Sequence, residues 1–586
     1  MESSSSLITA GGKSRSRTAA GAMLVAAAAA ALYLPWLGSI TLFDVDEPRF
    51  AEAARVMYRT GDFIVPYFNG AVRYDKPPLI YWVMSAGYAL FGVNELGARI
   101  GSAVAGIASA VMVYLLAIRM CSWRAATIAG LIAATALMVC MESRLATADA
   151  VLLLTVMAMF TGFWRVVSGR RSLASYALLY GGLAAGSLAK GPVSAAVLVV
   201  SVVLYAAMCG ERQAGASLRC RARLILRRML AAARELSLGW GFLAAAAVVV
   251  AWFIPALIAT KGGFLTHGFG HHVVQRSFGR KPIDSHGGVP IIFYLVILPV
   301  TFYPWFAVLP ESLRRFWRSD ADRRMRAFLL AWAVAPFIVF SFLRTKLFHY
   351  TLPAYPALAV ICGIGIGSAL RGEFDYGRHW LGKAGLAIFA IVCLVAAGVL
   401  VFPPPKASWP GLSRAMIPAA AGIVMLGAAG IVAFGRRTRI EAVGCMFVLT
   451  VATWLLAVNG AARSLQATAT CKAFAEGLRP LLKPDDALAY VRRLEPSLVF
   501  YLQRTIVEFD RDAGPEVLLA DHPRVVCIAS TDDSSAMEAC GGRLLQHARC
   551  FATRKMRWLE MDVWEITRAG GSSPSGKRSS DLHPLP

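Results

Sequence analysis

Runs of mainly apolar residues, each about as long as a bilayer is thick, recur along most of this chain. A helical residue rises 1.5 Å, so about 20 of them cross the roughly 30 Å hydrocarbon layer. Thirteen such runs lie near residues 20–40, 97–118, 125–141, 150–167, 174–189, 192–209, 237–259, 289–309, 327–343, 351–370, 385–402, 414–434 and 442–460. They predict an α-helical polytopic membrane protein with about thirteen transmembrane helices. Composition agrees: 57% of the 586 residues are hydrophobic and 16% charged, where a soluble domain carries about 25% charged residues. Disordered, collagenous and coiled-coil chains are excluded on the same ground. The net charge of +25 would suggest nucleic acid in a soluble protein. Here the basic residues cluster between apolar runs and no nucleic-acid module is visible, so the charge reads as membrane topology. Eleven cysteines lack metal-type spacing and support neither a zinc ribbon nor a dense disulfide framework.

The clusters set an orientation. Residues 1–19 carry Lys13, Arg15 and Arg17, which predicts a cytoplasmic N-terminus. The first run is too long for a cleavable signal, and no clean cleavage site follows it. Threading from there puts the basic segments 210–236 and 310–326 inside, the second with six arginines. Residues 79–93 (LIYWVMSAGYALFGV) are apolar but too short to span, and counting them would invert every later loop. They are therefore placed as a helix at the outer interface. The predicted organisation is 1–19 cytoplasmic, 20–460 transmembrane with a first outer loop at 41–96, and 461–568 a small extracytoplasmic α/β domain. Residues 569–586 form a disordered tail. Strand-like runs at Ala487–Val491, Thr505–Phe509 and Val525–Ala529 support the α/β domain. Its Cys471, Cys527, Cys540 and Cys550 lie where an oxidising compartment permits a disulfide, with the pairing unassigned.

The outer loops carry few charges, and these cluster. The first opens TLFDVDEPRFAEAARVMYRTGDF. Asp46 or Glu47 suits a helix cap and Pro48 the first turn. Phe50, Ala54 and Met57 recur at helical spacing, with Glu52 and Arg55 on the polar side, which predicts a short amphipathic helix on the membrane surface. Asp44, Asp46 and Glu47 are equally at home as caps and dipole partners. The loop continues RYDKPPLIYW, where Pro77 and Pro78 set Lys76 at a helix N-terminus. Free amides there favour an anion, and a lysine suits a phosphate. The alternative is a snorkelling lysine paired with Asp75. Arg144 and Asp149 in ESRLATADA, Lys190 in LAKGP, His271 and Arg276 in HGFGHHVVQRSFGRK, and Arg344, Lys346 and Tyr350 in RTKLFHYTLPAYPALA fall on the same side. His271 with His272 is too little for a metal site by itself. Polar groups gathered at the mouth of an apolar bundle are functional by default, and their mainly positive sign suits a phosphorylated lipid.

DEPRFAEAARVMYRTGDFIVPYFNG followed by RYDKPPLIYW resembles the first outer loop of bacterial aminoarabinose (ArnT-type) transferases. More broadly it resembles the protein mannosyltransferase-like glycosyltransferases of GT-C type. TADA at 147–150, LAKGP at 188–192, HHVVQR at 271–276 and KLFHYTLPAYPALA at 346–359 recur in the same order as in that family. The resemblance covers residues 20–360. It implies an inverting membrane glycosyltransferase taking a sugar from a polyprenyl phosphate donor, undecaprenyl phosphate in bacteria. The acceptor would be lipid A or another envelope glycoconjugate at the outer leaflet of the cell inner membrane. By motif, Asp46 matches the first-loop catalytic aspartate, with Glu47 and Arg49 supporting it, and Asp149 matches a second functional acid. Lys76 falls on the lysine that holds the donor phosphate, and Arg276 and Tyr350 match further phosphate-side ligands. Lys190 is a further candidate cation. Asp75 stands where aminoarabinose transferases have glutamate. With a histidine matching His271 that acid holds a divalent metal in the family, so the shorter side chain departs from the pattern.

Two other functions share these features. A protein O-mannosyltransferase would differ only in a Ser/Thr acceptor. A flippase for lipid-linked sugars should show repeated halves and helices broken near the midplane. No internal repeat is evident, and the polar motifs lie in outer loops rather than mid-span.

Overall fold

The structure is a computed structural model describing residues 3–210, 218–275, 292–319, 321–343, 345–403, 412–466, 471–492, 494–510, 514–552 and 557–567. The 569–586 tail, Arg276 and Arg344 lie outside the described residues, as does the side chain of His271. Helix α1 (Ser3–Tyr33) leads to α2 (Asp46–Thr60), a small hairpin of β1 (Tyr67–Phe68) and β2 (Ala71–Val72), and α3 (Leu79–Phe91). Then come α4 (Glu95–Ala117), α5 (Trp123–Thr135), α6 (Leu137–Glu142), α7 (Asp149–Val167), α8 (Leu173–Lys190), α9 (Val193–Met208), α10 (Leu218–Glu235) and α11 (Leu238–Ala259). Beyond these the long helices are Arg323–Ser341, Tyr355–Leu370, Trp380–Val401, Leu412–Gly435 and Ile440–Gln466.

Among the described residues nine helices are long and apolar enough to cross a membrane. Of the other four expected runs, 174–189 and 192–209 form the unbroken helices α8 and α9, and the remaining two are interrupted. The run at 125–141 breaks at Ala136, whose ψ of 131° is extended, and the next amide, of Leu137, donates to the Tyr303 carbonyl at 2.9 Å. The run at 289–309 contributes the helix Phe293–Thr301 and a turn around Pro304.

Two local devices align the start of α7 with the end of α8. The two helices form an antiparallel pair with almost no space between backbones. A Cβ on Gly162 would sit 2.3 Å from the Leu179 nitrogen, and one on Gly182 would sit 2.5 Å from the Met159 nitrogen. That reciprocal close approach brings the two helix ends level. The LAKGP motif then ends α8 sharply: Gly191 takes φ +73°, open to glycine but strained for other residues. Pro192 follows as the cap of α9.

Helix α2 forms as the sequence pattern predicts, but its apolar face meets protein. Phe50 and Met57 are buried against α3 and the helix Pro496–Leu502 of the C-terminal domain. Its supposed polar side is also covered: Glu52 is buried, and Arg55 donates to both of its oxygens at 2.7 Å. Neither Asp46 nor Glu47 caps it; Val45 holds that position with no side-chain cap.

The C-terminal domain is a five-stranded mixed sheet in the order β4-β3-β5-β7-β6, where β3 is Ala487–Val491, β4 Ile506–Phe509, β5 Arg524–Ser530, β6 Arg543–Ala552 and β7 Arg557–Thr567. The three strands legible in the sequence are mutually parallel through β3, with Leu488 opposite both Ile506 and Val526. The β6–β7 pair adds antiparallel to β5, with Cys527 opposite Trp564. The domain is fastened to the 41–96 loop. Asp44 accepts from the Ser497 amide at 2.8 Å and its hydroxyl at 2.6 Å. The Leu42 amide donates to Tyr501 Oη at 2.9 Å. Asn69 exchanges two 2.8 Å bonds with the backbone of Ile506.

Candidate active site

The α7–α8 pair delivers the first contact. Lys190 Nζ lies 2.5 Å from Asp149 Oδ1, both side chains largely buried. The other carboxylate oxygen faces His349 Nε2 at 3.6 Å, and His349 Nδ1 faces Glu142 Oε1 at 3.4 Å. Glu142 is fixed in turn by the Thr147 hydroxyl, which donates to Oε2 at 2.9 Å. Tyr350 presents its ring 4.9 Å from the Lys190 ammonium, a favourable cation–π geometry. Three chain segments thus converge on one polar knot. Lys76, from the 41–96 loop, acts electrostatically on both Asp149 and His349. Burial pushes the His349 imidazole down to about 4, against the pull of Asp149. The ring is therefore neutral near pH 7.

Asp46 differs in kind. It is exposed at the start of α2, yet within electrostatic reach of His349 and Arg73. Asp149 is buried and ion-paired. An exposed carboxylate can meet a substrate directly, whereas one held by an ammonium serves mainly as fixed negative charge.

The neighbouring Glu47 is a structural anchor. It is 2% exposed and accepts both arms of Arg99, at 2.8 and 2.7 Å. It also takes the amides of Phe43 at 2.8 Å and Ala146 at 2.6 Å. Arg99 directs its remaining donors to the carbonyls of Leu37, Ile40 and Thr41. A bidentate guanidinium–carboxylate pair of this kind fixes direction as well as distance. It ties the strand of chain before α2 to the 143–148 turn before α7, and so sets Asp46 relative to Asp149. Arg144 closes the same region by donating to the carbonyls of Leu32, Tyr33 and Pro35 at the end of α1.

Asp75 is engaged by a cation. Its Oδ2 lies 3.1 Å from Arg73, whose Nε donates to Tyr81 Oη at 3.0 Å and whose guanidinium lies 4.7 Å from the Phe50 ring centroid. A guanidinium at that distance repels a divalent ion. Among the described residues no group of three or more His, Cys, Asp or Glu side chains is placed to hold a metal. Of the pair expected to hold a metal, Asp75 is thus engaged by Arg73, and the side chain of His271 lies outside the described residues. Arg49 is half-buried with its guanidinium 5.9 Å from the Phe68 ring centroid, beside the β1–β2 hairpin. Lys346 is buried and donates to the Leu343 carbonyl at 2.8 Å.

Sequence reasoning passed over His349, Glu142, Arg73 and Arg99. The first two stand inside motifs it singled out, one beside Tyr350 and one opening ESRLATADA. Arg99, a charge inside an apolar run, carried a signal of its own.

This fold is that of a polytopic membrane protein. Residues 75–222 match the family described as dolichyl-phosphate-mannose-protein mannosyltransferase. An undecaprenyl phosphate-α-4-amino-4-deoxy-L-arabinose arabinosyl transferase of Edwardsiella ictaluri is 31% identical over 345 residues, 58% of each chain. The match therefore spans less than two thirds of that relative. A transferase of the same name from Erwinia tasmaniensis is 29% identical over 70% of this chain and 72% of its own. The crystal structure of ArnT from Cupriavidus metallidurans in the apo state superposes with a TM-score of 0.74 at 22% identity, covering 93% of this chain and 97% of that one. The same protein bound to undecaprenyl phosphate gives 0.72 at 21% identity, covering 92% and 97%. The chain is thus similar in sequence to the ArnT-type transferases and shares their fold.

Proposed function

We propose that the protein is an inverting glycosyltransferase of the bacterial plasma membrane, moving a sugar from a polyprenyl phosphate to an acceptor of lipid A type at the outer leaflet. One observation carries this reading. Lys76, Lys190, His349 and the neighbouring acids Glu142 and Asp149, from four separate segments, gather at one end of the α7–α8 pair. The relatives named as undecaprenyl phosphate aminoarabinose transferases support the donor and acceptor classes. Basic segments such as Arg436–Arg437–Thr438–Arg439 support an N-terminus inside and the site outside.

The leaving phosphate is stable as an anion and needs little acid catalysis. Holding it more tightly as charge develops supplies most of the acceleration. Lys76 heads α3 behind Pro77 and Pro78, where amides and ammonium face the same anion. Lys190 has three donors and uses one on Asp149, so it can bind the phosphate while keeping that contact. Arg276 and Tyr350 complete the phosphate side. With a hydroxyl acceptor, exposed Asp46 acts as general base. With a phosphate acceptor, already nucleophilic, it orients the acceptor or offsets positive charge on the sugar ring.

The test supplies purified protein with undecaprenyl-phosphate-linked aminoarabinose and lipid A and follows free undecaprenyl phosphate and glycosylated lipid by mass spectrometry. Both rise together if the reading holds. Donor movement between leaflets with neither product would make the protein a flippase. Transfer to Ser/Thr peptides but not to lipid A would move the acceptor class to protein.

A further inference from the structure

Two buried thiols face each other in the C-terminal domain. Cys471 opens the helix Cys471–Leu478, and Cys550 lies near the end of β6. Their sulfurs are 3.6 Å apart, and the residues are 5% and 0% exposed. Cys527 and Cys540 belong to a separate apolar cluster with Ala487, Ala489 and Val525, whereas Cys471 and Cys550 pack with Leu488, Tyr490 and Val526. Successive strand residues point to opposite faces, so the two pairs sit on opposite sides of the sheet.

We propose that Cys471 and Cys550 form a disulfide in the mature protein. The inference rests on the extracytoplasmic placement of the domain, where disulfides form and persist. The two thiols give up two protons and two electrons, taken by a protein-borne disulfide oxidant that is reduced to its dithiol. The bond joins the chain just after the last long helix to the far edge of the sheet. Cys471 also shares a small cavity with Leu42, Asp44, Ser497 and Tyr501, the residues that dock the first outer loop. The bridge therefore fastens the platform holding the Asp46 loop.

Intact cells are quenched with iodoacetamide, and the full-length protein is purified and digested with trypsin without reductant. The expected product is the peptide SLQATATCK linked to CFATR, separating on reduction. Dithiothreitol should lower the melting temperature of the wild type and leave a Cys471→Ala/Cys550→Ala double variant unchanged. Linkage of Cys471 to any other cysteine overturns the pairing. A parallel Ser535→Cys variant, treated from outside with a membrane-impermeant maleimide, separates the two ways of failing. Alkylated Cys471 and Cys550 with Ser535→Cys labelled overturns the bridge alone. Alkylated thiols with no labelling overturns the location, and the bridge with it.

Discussion

Lys190 Nζ meets Asp149 Oδ1 across the α7–α8 pair, and the contact exists because Gly162 and Gly182 let the two backbones touch. Removing one partner of a buried ion pair leaves the other charge stranded, at a cost of about 3–5 kcal/mol. Lys190→Met should therefore lower thermal stability sharply. Adding Asp149→Asn should restore most of the melting temperature while turnover stays more than ~100-fold down, the loss expected for about 3 kcal/mol of transition-state stabilisation. A double variant with recovered stability and recovered turnover would show the pair to be scaffolding.

Lys76 acts on the same centre from the 41–96 loop. Lys76→Ala should insert and fold normally yet lose more than ~100-fold in transfer, as for other charged contacts to a developing anion. Release of undecaprenyl phosphate by purified protein measures it. Full activity would remove the phosphate role.

What the sequence disclosed followed chain locality. The helix of DEPRFAEAARVMYRT and the break before Lys76 are written in Pro48, Pro77, Pro78 and the 3.6-residue spacing of apolar side chains. The Lys190–Asp149 contact joins residues 41 apart, and Glu47–Arg99 joins residues 52 apart. No local pattern encodes such pairs, since they depend on how helices pack. Arg99 could pass for a tolerated charge at a span end because its partner sits in another segment. Strands β6 and β7 went unread for a related reason: RLLQHARCFA and RWLEMDVWEIT mix charge and apolar residues, and their identity comes from pairing with each other and with β5.

The Glu47–Arg99 pair sets where Asp46 stands, so its loss should damage both fold and rate. Arg99→Lys keeps the charge but offers no planar fork, and cannot serve both Glu47 oxygens and three carbonyls. It should lose several degrees of melting temperature, and turnover should fall even below the unfolding transition. A thermal shift assay beside the transfer assay checks this. Retained stability and rate in Arg99→Lys would make the fork irrelevant.

Docking of the C-terminal domain is expected to act on the first loop through Asp44. Ser497→Ala removes the hydroxyl donor but keeps the amide bond, so the loss should be about 1.5–3 kcal/mol, the range for a hydrogen bond to a charged group. Hydrogen exchange should then rise at residues 41–45 and leave α7 and α8 unchanged. Exchange unaltered at 41–45 would mean that the loop holds its shape without the domain.

His349 gives the pH dependence its sign. Its pKa is lowered from 6.5 to about 4 because burial disfavours the charged ring. Between those values the unfolded chain takes up a proton that the folded protein refuses. The stability His349 allows is therefore present above about pH 6.5 and is lost as pH falls toward 4. His349→Gln cannot be protonated and should lose less melting temperature over that window than the wild type. Near neutrality the wild-type ring carries no charge, so the rate profiles of wild type and His349→Gln should run parallel from about pH 6 to 8 even if their heights differ. An acid limb centred near pH 6.5 in the wild type and missing in His349→Gln would show that the imidazole titrates normally, and that the knot around Asp149 is open to water.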